Sequence, residues 1–177
     1  MRHPNFHFTF VDVRNRHYNP RGRILPEDFV FPYATSSFDL AFASSLFTHL
    51  TPPAAEKYFA EVSRILKPGG RFVGSFFLLN ESSRRVLAEA QPRFLPVDGN
   101  YAVQSLDDPE AAIAFDEQAV KDALERHGIP TVDVRYGGWS LRSESVSFQD
   151  LLIARKVQPR LTRIPPSRNL TPDRFLR

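Results

Sequence analysis

An acid, two hydroxyls, an imidazole and a large aromatic stand where their side chains could do chemistry. They are Asp12 beside Val13, Ser44 and Ser45, His49 two residues after Phe47, and Trp139 after Gly137-Gly138. An ionised carboxylate only accepts hydrogen bonds, so Asp12 suits an exocyclic amine, or else the start of a turn. Imidazole titrates near neutrality, and His49 could take a proton from a hydroxyl. Flanked by Thr48 and Leu50 in a helical turn, it could equally be a structural hydrogen-bonder. Ser44 and Ser45 fit a helix cap as readily as a ligand contact, and Trp139 fits packing as readily as a stacking platform. His3, His7, His17 and His127 show no metal-ligand spacing with carboxylates, so no metal site is predicted. No nucleophile elbow, phosphate loop or paired-carboxylate signature occurs.

The elements that must hold these residues follow from pattern. Phe6-His-Phe-Thr-Phe-Val alternates and ends at Asp12, which predicts a strand. Asn19-Pro20, Gly22, Pro26 and Phe31-Pro32 mark residues 13–37 as an irregular connection. Leu40 to Ala43 is continuously apolar after Asp39, the pattern of a strand buried on both faces. Thr51-Pro52 supplies a hydroxyl cap and a first-turn proline for a helix with Tyr58, Phe59, Val62, Ile65 and Leu66 on one face. Pro68-Gly69-Gly70 stops it, and Arg71 to Leu79 reads as a second buried strand. A helix over 81–90, an irregular cap or lid over 91–115, a helix capped by Asp116, and strands over 131–136 and 148–154 complete an α/β layered order.

The block from Phe38-Asp39 through Ser45-Leu-Phe-Thr-His-Leu to Arg64-Ile-Leu-Lys-Pro-Gly-Gly-Arg, with Gln149-Asp-Leu-Leu-Ile-Ala-Arg-Lys at the end, resembles class I S-adenosylmethionine-dependent methyltransferases over residues 4–156. The resemblance implies a Rossmann-like sheet of spatial order 3-2-1-4-5-7-6 with a final antiparallel strand, here represented by its third to seventh strands. By position it gives Asp12 and Val13 the adenine contacts. Ser44 and Ser45 fall at the methionine end of the cofactor, and Phe47 and Trp139 fall at the substrate pocket. His49 stands beside the transferred methyl as a candidate base. The family's glycine-rich cofactor loop and ribose-binding acid have no counterpart in the 37 residues before Phe38.

The expectation is therefore a partial methyltransferase domain over 1–156, lacking its first two strands and inactive by itself. It would act on a small-molecule acceptor with S-adenosyl-L-methionine as donor, the chain being a truncated frame, a frame with a mis-assigned start, or half of a two-chain enzyme. The alternative is a non-catalytic partner-binding or regulatory module, with self-association or a complementing chain at the exposed sheet edge. A reductase of Rossmann type lacks its glycine fingerprint.

Composition bounds the rest. With 42% hydrophobic and 24% charged residues in 177, one soluble domain is expected. The absence of cysteine excludes disulfides and thiolate chemistry and fits a cytoplasmic protein. No apolar run is long enough to span a bilayer. The net charge of +3 divides unevenly: Arg155 to Arg177 holds seven basic residues and one acid, leaving −3 for residues 1–154. Residues 157–177, rich in proline and arginine, are expected to form a solvated, disordered tail, with nucleic acid the less favoured reading.

Overall fold

The computed structural model describes residues 5–158; His3 and most of the basic tail lie outside the described residues. In chain order the elements are β1 (Phe38–Ala43), α1 (Pro52–Ile65), β2 (Leu66–Phe76), β3 (Leu78–Leu79), α2 (Glu81–Arg85), β4 (Leu95–Pro96), β5 (Tyr101–Val103), β6 (Ile113–Asp116), α3 (Glu117–Arg126), β7 (Thr131–Arg135) and β8 (Asp150–Arg155). Among the described residues, no helix is long and apolar enough to cross a membrane.

The main sheet runs β1-β2-β8-β7. β1 and β2 are parallel, with Leu40 opposite Arg71 and Ala43 opposite Gly74. β8 inserts antiparallel between β2 and β7. This is the 4-5-7-6 half of the order implied by the resemblance, including its antiparallel strand. Parallel neighbours cannot be joined by a hairpin, so the chain crosses over from β1 to β2 through α1. Pro52 and Pro53 start α1 where backbone N–H groups have no acceptor anyway. Thr51 does not cap it; its hydroxyl donates to Glu27 Oε1 at 3.3 Å. At the other end, Lys156 Nζ donates to the carbonyls of Ser63 and Leu66, both at 2.7 Å, placing a cation at the helix C-terminus. Gly69 takes φ +80°, the left-handed conformation that returns the chain into the sheet.

The core follows from phenylalanine. Phe47 is fully buried, stacked on Phe59 at 4.8 Å and Phe76 at 5.0 Å and edge-on to Phe72 at 5.6 Å. Burying each such ring stabilises by about 1.5–3 kcal/mol, and truncating one costs about 3–5 kcal/mol.

Four sequence-based expectations are corrected. Residues 6–12 form no strand: their backbone pairs with no ladder, and Phe8 and Phe10 stand in solvent. β1 is not buried on both faces, since Leu40 and Phe42 are 56% and 66% exposed along its unpaired side. The helix after Asn80 ends at Arg85. Residues 91–115 are not irregular but contribute three short strands to a second sheet, β3-β6-β5-β4, whose core is Phe77, Phe94, Ala102, Ala114 and Trp139.

Candidate functional site

The segment between Asp12 and Ile24 has its own order. Arg23 N–H and Ile24 N–H both donate to the Asp12 carbonyl, Arg14 N–H donates to Ile24 O at 2.7 Å, and Val13 bridges Ile24 in parallel. Gly22 is required in this fold-back, because a Cβ there would sit 2.5 Å from the Arg14 backbone. Asn15 closes the tip by accepting from the N–H groups of His17 and Tyr18. The loop is then pinned to the turn at Phe47–His49 and to Pro109–Ala111. Asn15 Nδ2 donates to His49 O at 3.0 Å, His17 Nδ1 meets Asp108 Oδ2 at 3.0 Å, and Arg16 N–H donates to the Glu110 carboxylate.

Against this loop lies a cavity of about 740 Å³ beyond the carboxyl end of β1, lined by Phe10, Val13, Tyr18, Ser45, Leu46 and His49 among others. That is the size of a small-molecule site and the edge where open α/β sheets place ligands. Three predicted site residues thus come together: Val13 from the loop, and Ser45 and His49 from the segment after β1, line one space.

Ser45 is held in the left-handed region at φ 53°, a conformation costing a non-glycine residue about 1–2 kcal/mol. A closed polar ring keeps it there. Its N–H donates to Ser75 Oγ at 2.7 Å, Ser75 Oγ donates to Gln149 Oε1 at 2.6 Å, and Gln149 Nε2 donates back to Ser45 Oγ at 3.0 Å. Strain of this kind concentrates at ligand sites.

His49 has both ring nitrogens engaged. Nδ1 lies 2.9 Å from the Glu110 carbonyl, and Nε2 lies 3.2 Å from the Tyr18 hydroxyl, with the two rings edge-to-face at 4.8 Å. A carbonyl can only accept, so Nδ1 carries the proton in the neutral ring. Nε2 is then a lone-pair acceptor on the cavity side, taking the Tyr18 O–H.

The other predicted residues lie elsewhere. The Asp12 carboxylate stands beside the cavity and faces the loop: Oδ2 receives Arg23 Nε at 2.5 Å and Oδ1 receives Asn19 Nδ2 at 3.4 Å. The hydrogen bond from Arg23 holds it below the usual carboxylate range. Ser44 is exposed and not part of the lining. Phe47 and Trp139 are core residues. Phe47 belongs to the aromatic stack above, and Trp139, 1% exposed, packs on Phe77 and Phe94 and donates Nε1–H to Asp150 at 2.7 Å. Tyr18, Ser75 and Gln149 were not legible as site residues. Tyr18 sits in a stretch with no period, and Ser75 and Gln149 read as strand residues until the topology brings their ends together. No group of His, Cys, Asp or Glu that could hold a metal occurs among the described residues.

A family model described as a methyltransferase domain matches residues 5–74. Among solved structures, an S-adenosylmethionine-dependent methyltransferase from Methanosarcina mazei aligns at 18% identity over 78% of this chain and 69% of its own, with a TM-score of 0.50. One from Mesorhizobium loti aligns at 19% identity over 80% and 73%, with a TM-score of 0.49. The 1,6-didemethyltoxoflavin-N1-methyltransferase of Burkholderia thailandensis, solved with its substrate and S-adenosylhomocysteine, aligns at 19% over 76%, with a TM-score of 0.46. The chain spans 49% of that last protein's length. The fold is that of the class I methyltransferases.

The cavity fits S-adenosylmethionine in part. Val13, Ser45 and His49 line it, and Asp12, next to Val13 in the chain, uses only one bond on each oxygen of a carboxylate with about four acceptor sites. Among the described residues no carboxylate is part of the lining, so no acid in its wall can accept from a pair of ribose hydroxyls.

Proposed function

We propose that residues 1–156 form the acceptor side of an S-adenosylmethionine-dependent methyltransferase acting on a small molecule. The observation that carries this is the convergence of Val13, Ser45 and His49 on one cavity at the carboxyl edge of a methyltransferase-type sheet. The donor, when bound, supplies an electrophilic methyl group. The chain's own part is to hold an acceptor in line with it, and alignment of two reactants can supply about 7–11 kcal/mol of the barrier. The ring of Ser45, Ser75 and Gln149 fixes one wall, and Phe10, Tyr18 and Leu46 provide apolar and aromatic surface. His49, locked as the Nδ1–H tautomer by Glu110, presents Nε2 as base.

The donor grip in this chain is expected to be weak. One charge-assisted hydrogen bond contributes about 1.5–3 kcal/mol, whereas a micromolar complex needs about 8 kcal/mol and a millimolar one about 4. Nuclear magnetic resonance suits that range. Titrating S-adenosylhomocysteine into the 177-residue protein should shift the amide signals of Val13, Ser45 and His49 together, saturating between roughly 0.1 and several millimolar. Shifts confined to other residues, or none, would remove the reading.

One observation favours a second reading, a non-catalytic module that binds a partner chain. β1 leaves one edge unpaired and Leu40 and Phe42 in solvent, a surface that strands readily add to.

A further inference from the structure

Resting on the cavity's role as a methyl-transfer site, we propose that Tyr18 relays the acceptor's proton to His49, and that the acceptor is therefore a hydroxyl compound, phenol or alcohol, rather than an amine or carbon acid. Tyr18 and His49 both line the cavity, and Tyr18 is 64% exposed with its hydroxyl on His49 Nε2. Because Nδ1 is committed to the Glu110 carbonyl, the Tyr18 oxygen spends its one proton on Nε2 and keeps its lone pairs for a donor in the cavity. A neutral O–H is such a donor. An alcohol or phenol must lose that proton in becoming an ether, whereas a neutral amine attacks through its lone pair with its N–H bonds intact and needs no relay before transfer, and a carbon acid offers only a weak C–H donor to that oxygen.

The step balances. The acceptor O–H proton passes to Tyr18 Oη as Tyr18's own proton passes to Nε2, so one O–H bond breaks and one forms on Tyr18, and an N–H bond forms on His49. The freed oxygen pair makes the new C–O bond to the methyl of a sulfonium donor, whose S–C pair returns to sulfur as a thioether. The positive charge moves from sulfonium to imidazolium, where the Nδ1–H···O=C bond to Glu110 stabilises it. Proton positioning of this kind contributes about 10²–10⁴ in rate. Phe10 and the Tyr18 ring give the site a preference for an aromatic body.

The test uses phenol and anisole, in which a methyl group replaces the hydroxyl hydrogen. By shift titration on the intact chain, phenol should bind cavity residues about fivefold more tightly than anisole, the worth of one neutral hydrogen bond. Tyr18→Phe keeps the ring against His49 and should abolish that preference, while the ring ¹⁵N signals of His49 should show the Nδ1–H tautomer in the parent. Equal binding of phenol and anisole to the parent overturns the relay, as does a preference that survives Tyr18→Phe or an Nε2–H tautomer. S-adenosylhomocysteine, titrated separately, keeps the two readings apart. If it binds the cavity without a phenol preference, only the relay falls. If it does not bind while phenol is preferred, the transfer site falls and the hydroxyl site stands.

Discussion

A single acid shows how a charge can be buried in this protein without being a site. Glu61 is 6% exposed on α1, yet its Oε2 accepts from Phe31 N–H at 2.8 Å and from Arg64 Nη2 at 2.7 Å, and Arg64 continues to the Phe31 and Tyr33 carbonyls. Burial alone would raise its pKa; the bonds from Arg64 and Phe31 outweigh it and the value falls below the ordinary one. Glu117, served by Lys121, Asn80 and Tyr136, is lowered in the same way against its own burial. A lowered acid contributes stability that is complete above its unfolded value of about 4.3 and is lost as pH falls through the folded one. Glu61→Gln should therefore cost about 1–3 kcal/mol at pH 7 by urea denaturation, and the gap to the parent should close as the pH falls below the unfolded value of about 4.3. A gap of constant size over that range would show that the carboxylate's charge is not what holds residues 31–33 to α1. His49 and Tyr18 invert this pattern: their polar atoms meet at the surface of a cavity, where a ligand can compete for them.

Between elements, Asp150 carries the joint of the two sheets. It is 1% exposed at the start of β8, where Oδ2 accepts from Leu78 N–H of β3 and from Trp139 Nε1, and Oδ1 accepts from Gly137 N–H, each at 2.7 Å. Burial pushes its carboxyl up in spite of those donors. Asp150→Ala strands three buried N–H groups at about 1–3 kcal/mol each, so more than about 3 kcal/mol of stability should go. Trp139 emission should shift to the red as the second sheet loosens from the first; a loss under about 1 kcal/mol would show the sheets held by packing alone. Nothing in Gln149-Asp150-Leu151 announces this role, because it depends on β3 and the Gly137-Gly138 turn arriving from 72 and 13 residues away. The same reason separates what was legible from what was not. α1 and α3 with its Asp116 cap follow from local period, whereas the order of β1, β2, β8 and β7 was implied by the family resemblance that the Lys67-Pro-Gly-Gly-Arg block helps to carry. The second sheet is built from strands of two to four residues, too short for alternation to rise above a loop. Ser45 and His49 were legible as positions after β1 and Val13 through the resemblance alone, since the strand expected before it does not form, but Tyr18 and Gln149 reach the cavity wall and the Ser45 ring only through loop closure and sheet order. Phe47 and Trp139 misled because size and aromaticity serve a core as well as a pocket.

At the scale of the whole molecule, several of the exposed apolar residues lie on or next to β1 in the chain or before the ordered loop. Leu40 and Phe42 on β1, Leu46 after it, and Phe8 and Phe10 before the ordered loop are all exposed, and an apolar groove of about 230 Å³ runs beneath β1 between Phe31, Phe38 and Ile65. Single exposed apolar residues are ordinary, but a contiguous set along an unpaired strand is a surface for another chain. The backbone adds to it, since the free side of a six-residue strand presents N–H and C=O groups that can extend the ladder. Asp39 is its single charge, and Lys67 already neutralises it at 2.8 Å, so little repels a second strand. The protein should therefore associate as its concentration rises in sedimentation velocity, through β1. Leu40→Lys with Phe42→Lys should return it to a monomer without lowering its melting temperature by more than a few degrees, because both side chains face solvent and neither fills the core. Association that persists in the double variant places the contact elsewhere. A parent that stays monomeric at the highest concentration means that the edge is too short to pair without a larger partner.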